Sequence, residues 1–141
     1  MDLEQYGVSS NIEDEISYRF IAYLMGLLLA FESMLLFACC CVSMIYGEND
    51  LMAFVIPFSA CLAASVMLLV YGRKKKSALS RYEAYIVVAL SWVFFTIFGM
   101  LPYLLGGYIP TVTDAFFETM SGFTTAGATI LDNIDSMPHG I

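Results

Sequence analysis

The chain has 141 residues, of which 60% are hydrophobic and 13% charged, with a formal net charge of −7. A soluble domain of this size carries about a quarter charged residues; here the apolar residues fall in long blocks, which excludes a soluble globule and makes this an integral membrane protein. The acidic balance also excludes nucleic acid as a partner, because that needs a basic face.

Residues 1–15 are polar and acidic, with Asp2, Glu4, Glu13, Asp14 and Glu15. This is the opposite of a secretory signal, which opens on basic residues. The acids Glu13 to Glu15 suit the first turn of a helix, at the positive end of its dipole. The first apolar block, Phe20 to Ile45, is long enough to cross a bilayer with some tilt. Tyr46 and Gly47 close it with an interfacial aromatic and a C-cap glycine. Glu32 interrupts it; a carboxylate at that depth costs about 3 kcal/mol and has to face protein or water. Helix packing and ion ligation are both open to it. Ala22, Gly26 and Ala30 offer a close-packing edge.

The acidic turn 48–50 leads to a second block, Leu51 to Tyr71, with Pro57 inside it and small residues at Ala53, Pro57, Ala60 and Ala64. Tyr71 and Gly72 repeat the aromatic-then-glycine ending. Cys39, Cys40, Cys41 and Cys61 lie within the two blocks and have no metal-ligand spacing, so they read as small hydrophobes. All basic residues apart from Arg19 follow in one cluster: Arg73, Lys74, Lys75, Lys76 and Arg81. Short loops rich in Lys and Arg stay cytoplasmic. The cluster therefore orients the chain with its N-terminus inside and the 48–50 turn outside.

A capping box from Ser80 to Glu83 starts the third helix, whose membrane part runs from Ala84 to Leu105 and ends at Gly106 and Gly107. Residues 108–113 form a polar connection, and Thr111, Thr113 and Asp114 are candidate N-caps for a new helix. That helix, Asp114 to Ser121 with a stop at Gly122, is about eight residues or roughly 12 Å, too short to cross a bilayer. After it come small and hydroxyl residues: Thr124, Thr125, Ala126, Gly127, Ala128 and Thr129.

Non-helical backbone at membrane depth survives where protein buries it or water lines it. An ion filter is one such case: carbonyl dipoles replace the water shell of a dehydrated cation, and small residues with a glycine let several backbones converge. The short helix would also turn its partly negative end toward the ion. A plain outer loop rich in Gly and Thr is the other reading of the same residues. The spacing Gly122 to Gly127 imitates a phosphate-binding loop, but Ala128 stands where lysine is required and no strand precedes it. Glu118 either braces the loop by hydrogen bonds or sits at the wet outer face. Asp132 and Asp135 either raise the local cation concentration or lie in a solvated loop. His139 has no partner ligands, and no nucleophile–base pair or metal set marks an enzyme.

The segment DAFFETMSGFTTAGAT, Asp114 to Thr129, resembles the first pore loop of the Trk/Ktr/HKT superfamily of potassium transporters, as does RYEAYIVVALSWVFFTIFGMLPYLLGG, Arg81 to Gly107. Two extra leading spans resemble the TrkH-type branch. The resemblance implies four helix–loop–helix units around one pore, each giving one filter strand with a key glycine, here Gly127, that is associated with potassium selectivity. Serine at that place goes with sodium transport in some relatives. Ala126 replaces the usual third hydroxyl of the TTTG pattern.

The expected fold is thus an all-α membrane protein: three transmembrane helices, then a re-entrant pore helix and filter loop, with no return helix of the first repeat. Residues 1–79 are the tail and two leading helices, and 80–141 an incomplete first repeat. The sequence breaks off where Ser136 and Pro138 signal a new helix, so it reads as an N-terminal portion of a longer transporter. The expected function is potassium transport across a bacterial inner membrane. Thr124, Thr125, Ala126, Gly127 and Ala128 bind K+ as one filter strand, with no cofactor. The resemblance further implies a homodimer and a cytosolic nucleotide-binding regulatory subunit of the TrkA kind. The contrasting reading is a small, non-conducting membrane scaffold or assembly protein.

Overall fold

The structure, a computed structural model, describes residues 18–47, 50–72 and 80–131. It is all-helical, in the order α1 (Tyr18–Tyr46), α2 (Leu51–Tyr71), α3 (Arg81–Leu105) and α4 (Val112–Phe123). The first three are long and apolar enough to cross a membrane. The N-terminal acids, the 73–76 basic cluster, Asp132, Asp135, Ser136, Pro138 and His139 lie outside the described residues.

Helices α1 and α2 form an antiparallel hairpin. Gly47, at φ +65°, ends α1 in the left-handed conformation that glycine adopts without steric cost. Ser65 Oγ donates to Gly26 O at 2.8 Å, and Cys61 Sγ lies 3.4 Å from Leu29 O and 3.8 Å from Glu32 Oε2. Glu32 therefore faces protein, at 4% exposure, with Oε1 unpartnered among the described residues. Arg19 lies over the Tyr71 ring at the open end of the hairpin, 5.9 Å from its centroid.

Of the small residues of α2, only some lie on the buried edge. The buried edge of α2 is Ala53, Pro57, Cys61 and Ser65, a strict every-fourth-residue line, while Ala60 is exposed and Ala64 half-buried. The polar pair Cys61 and Ser65 replaces the expected alanines because each donates to a carbonyl or carboxylate of α1. Gly72 ends α2 as expected, donating its N–H to Leu68 O from an extended backbone (φ −72°, ψ 151°). A Cβ there would stand 2.5 Å from Tyr23 N, so glycine is needed for close approach of two backbones.

Helix α3 lies against both members of the hairpin. Val87 joins Ile21 and Met25 in one buried cluster, and Phe94, Phe95 and Phe98 pack on Leu29, Leu36 and Cys61 in another. Its start is the anticipated capping box: Ser80 Oγ accepts from Glu83 N at 3.3 Å and Glu83 Oε2 accepts from Ser80 N at 3.0 Å. Each of the three helices keeps an apolar face outward, for instance Phe31 and Leu35, Val66 and Met67, and Val88 and Val93. In water such faces would be an aggregation hazard; in lipid they are the contact surface.

These two glycines give opposite expectations. Gly72→Ala overpacks a backbone contact and should cost roughly 1–3 kcal/mol, whereas Gly47→Asn meets nothing within 4 Å and should be nearly neutral. Thermal unfolding of the purified chain in detergent measures both; equal behaviour of the two variants would refute the close-approach account.

Candidate functional site

The short helix is longer than its sequence pattern indicates. α4 covers Val112–Phe123, and Thr111 is its N-cap, accepting from Asp114 N at 3.2 Å. The expected stop at Gly122 is corrected: the helix runs through Gly122, and Thr124 is the C-cap. Glycine in a helix interior costs about 1 kcal/mol, and the docking of the following Phe123 on α3 offsets it. Twelve residues rise roughly 18 Å, still short of the roughly 30 Å bilayer core.

A seat on α3 holds α4 in place. Gly99 opens the space: a Cβ there would meet Thr119 Cγ2 at 2.9 Å and Phe123 Cε2 at 3.0 Å. Beside it the Phe95 and Phe123 rings pack with centroids 5.8 Å apart. Thr96 is fully buried, donates to Trp92 O at 2.7 Å, and has Met120 Sδ 3.2 Å from its Oγ1. A cavity of about 330 Å³ lies behind the helix, lined by Leu36 and Cys39 of α1, Phe54 of α2, Tyr103 of α3, and Glu118.

Beyond Phe123 the chain turns sharply and runs back beside α4. Thr124 caps the helix with its N–H and hydroxyl, both donated to Met120 O at 2.9 and 2.8 Å. Thr125 N–H reaches Gly122 O at 3.1 Å and Ala126 N–H reaches Ser121 O at 3.0 Å. The reversal uses two left-handed residues, Thr125 at φ +54° and Gly127 at φ +71°. Glycine takes that conformation freely, but for a β-branched threonine it is a true outlier. Such conformations persist where the surroundings over-determine them.

The surroundings here are hydrogen bonds back to α4. Ser121 Oγ donates to Ala128 O at 2.6 Å. One turn earlier, Glu118 accepts from Thr129 Oγ1 at 2.9 Å and from Ile130 N at 3.0 Å, one bond to each carboxylate oxygen. Thr129 Oγ1 in turn accepts from Leu131 N at 3.0 Å. Of the two roles open to Glu118, the structure takes the bracing one. Among the described residues, no donor is bonded to the carbonyls of Thr124, Thr125, Ala126 or Gly127. The loop thus presents a run of uncommitted carbonyl dipoles, next to a second cavity of about 340 Å³ lined by Gly122, Thr125, Gly127 and Ala128.

Thr124, Thr125, Ala126, Gly127 and Ala128 are therefore brought together on one exposed turn. Glu32 lies on the α1–α2 contact and shares a cavity with Phe123, but lines neither cavity beside the turn. Sequence reasoning missed Gly99 and Thr96, although a lone glycine inside an apolar helix signals close approach. It gave no sign of the strain at Thr125.

These features define a class: a multi-pass, all-α membrane protein carrying a short helix and a tightly braced turn with free carbonyls. No protein-family model matches the chain. Similarity to known proteins is nevertheless extensive. The Trk system potassium uptake protein TrkH of Escherichia coli K12 is 38% identical over 125 residues, which cover 88% of this chain and 26% of that protein. TrkH of Vibrio parahaemolyticus is 33% identical over 127 residues, 89% of this chain and 26% of that one. The crystal structure of the potassium transporter TrkH from Vibrio parahaemolyticus superposes with a TM-score of 0.81 over 89% of this chain and 27% of that one. The chain is a homologue of the TrkH potassium transporters. It spans about a quarter of the length of the curated relatives it matches. Those relatives are transport proteins, not enzymes.

The Gly99 seat can be tested apart from any transport. Gly99→Val should overpack against Thr119 and Phe123, destabilise the docking of α4 by roughly 1–3 kcal/mol, and speed chymotryptic cleavage at Phe123. Unchanged cleavage and melting would mean that α4 is held elsewhere.

Proposed function

We propose that the chain takes part in potassium transport across a bacterial inner membrane, with Thr124 to Ala128 as one strand of a selectivity filter. The carrying observation is the run of uncommitted carbonyls at Thr124 to Gly127, held in a strained reversal beside the C-terminal end of a short helix. Carbonyl dipoles in such a loop replace the hydration shell of a monovalent cation. The partly negative end of α4 favours the same cation. Homology to proteins named for potassium uptake supports the choice of ion.

In this reading α4 is a re-entrant pore helix that enters from the outer side. Residues 80–141 form the first helix–pore-loop repeat behind two leading helices, and several such strands complete the filter. The Arg73 to Arg81 basic segment fixes the inner side, which puts the N-terminus in the cytoplasm. A homodimer of the membrane subunit and a cytosolic nucleotide-binding regulatory subunit complete the assembly, the latter meeting the basic face.

Two measurements test the reading. A Cβ at Gly127 meets nothing within 4 Å, so the cost of a substitution there is the dihedral and not a clash. At about 1–2 kcal/mol for a left-handed L-residue, Gly127→Ser should lower the preference for potassium over sodium roughly tenfold. Relative uptake is measured with the chain expressed from its own gene in cells lacking other potassium uptake routes; an unchanged ratio would contradict the filter assignment. For topology, alkaline phosphatase fused after Asp50 should be active and the same enzyme fused after Ser77 inactive. The reverse pattern would invert the orientation.

A further inference from the structure

Resting on the filter reading above, we infer that Glu118 is a positioning residue for ion selection: its carboxylate clamps the outgoing strand at Thr129 and Ile130, and so holds the Thr124–Gly127 backbone in its left-handed reversal. It is not itself an ion ligand. Each of its oxygens accepts one bond from the strand, Oε1 from the Thr129 hydroxyl at 2.9 Å and Oε2 from the Ile130 amide at 3.0 Å, which turns the carboxylate toward residues 129 and 130.

The geometry makes the clamp specific. The strand is tied to α4 at two levels, Ser121 to Ala128 O and Glu118 to residues 129 and 130, with the left-handed Thr125 and Gly127 enclosed between helix and ties. Thr125 is the residue that relaxes first if a tie is released, because a β-branched side chain disfavours φ +54°. Its relaxation rotates the peptide units on either side, which carry the carbonyls of Thr124 and Thr125. Glu118 also borders both cavities, the one behind α4 and the one beside the loop, so no apolar packing substitutes for its bonds on either side. The same carboxylate serves two donors from one strand with charge-assisted bonds; a glutamine at 118 keeps one acceptor oxygen for the Ile130 amide but meets the Thr129 hydroxyl with an N–H₂ and loses the charge.

The test uses three single variants, one double variant and Gly127→Ser as reference, and reads the relative uptake of potassium, rubidium and sodium in the gene's native context, in cells lacking other potassium routes. Membrane abundance is measured for each. Glu118→Gln removes the charge from the clamp and Thr129→Val removes one arm, and each should lower potassium-over-sodium preference roughly tenfold, the scale of one charge-assisted hydrogen bond. The double variant should be little worse than either alone, because both remove the same tie. Thr129→Ser keeps the hydroxyl and should retain the parental ratio. A purely structural role would reduce abundance and total uptake together and leave the ratio between ions unmoved, which would overturn the clamp. So would unchanged ratios in Glu118→Gln and Thr129→Val while Gly127→Ser alters selectivity; the filter reading then stands without the clamp. If Gly127→Ser is also silent, or no uptake depends on the chain, the filter reading fails and takes the clamp with it.

Discussion

A helix of twelve residues is too short to cross a bilayer, and the chain leaving α4 turns straight back and bonds to it. Everything distinctive about this protein follows from how that is done. In hydrocarbon each unsatisfied amide costs several kcal/mol. Here the amides of Thr124, Thr125 and Ala126 are spent on the last turn of α4, and that of Ile130 on Glu118. Among the described residues the carbonyls of Thr124 to Gly127 accept no bond, and the amides of Gly127, Ala128 and Thr129 donate none. The run of carbonyls beside the partly negative end of α4 favours a cation.

The remaining helices supply the platform for that loop. The α1–α2 hairpin is locked by close backbone approach at Gly72 and by Ser65 and Cys61 donating to α1. α3 lies on the hairpin through Val87 and its phenylalanines, and the opening at Gly99 lets α4 approach it closely. The small residues sit where van der Waals packing between helices decides association, as expected when lipid removes the hydrophobic drive between helices. The buried Glu32 follows the same logic, facing Cys61 and not lipid.

Much of this was legible in the residues. The bounds of α2 and the capping box of α3 were read directly, because an apolar block between turn signals and a Ser-x-x-Glu pattern are local properties. The end of α4 was not, since Gly122 reads as a stop by its own propensity and is carried into the helix by the docking of Phe123. Gly72 was read as the glycine that ends α2, and it does; its need for space against Tyr23 is invisible before the hairpin is closed. Ala60 and Ala64 gave way to Cys61 and Ser65 on the buried edge because small size alone does not separate adjacent helix faces. At the site, glycine marked Gly127 from sequence, whereas the strain at Thr125 and the reach of Glu118 across eleven residues depend on tertiary hydrogen bonds.

The central claim is that the carbonyls of Thr124 to Gly127 bind the ion. Crystals of the purified assembly grown with rubidium in place of potassium test this directly, because rubidium is located by its anomalous scattering. The account predicts rubidium density within coordination distance of those carbonyls, lost when sodium replaces rubidium. Density confined to acidic side chains, or none at the loop in a well-ordered map, would contradict it.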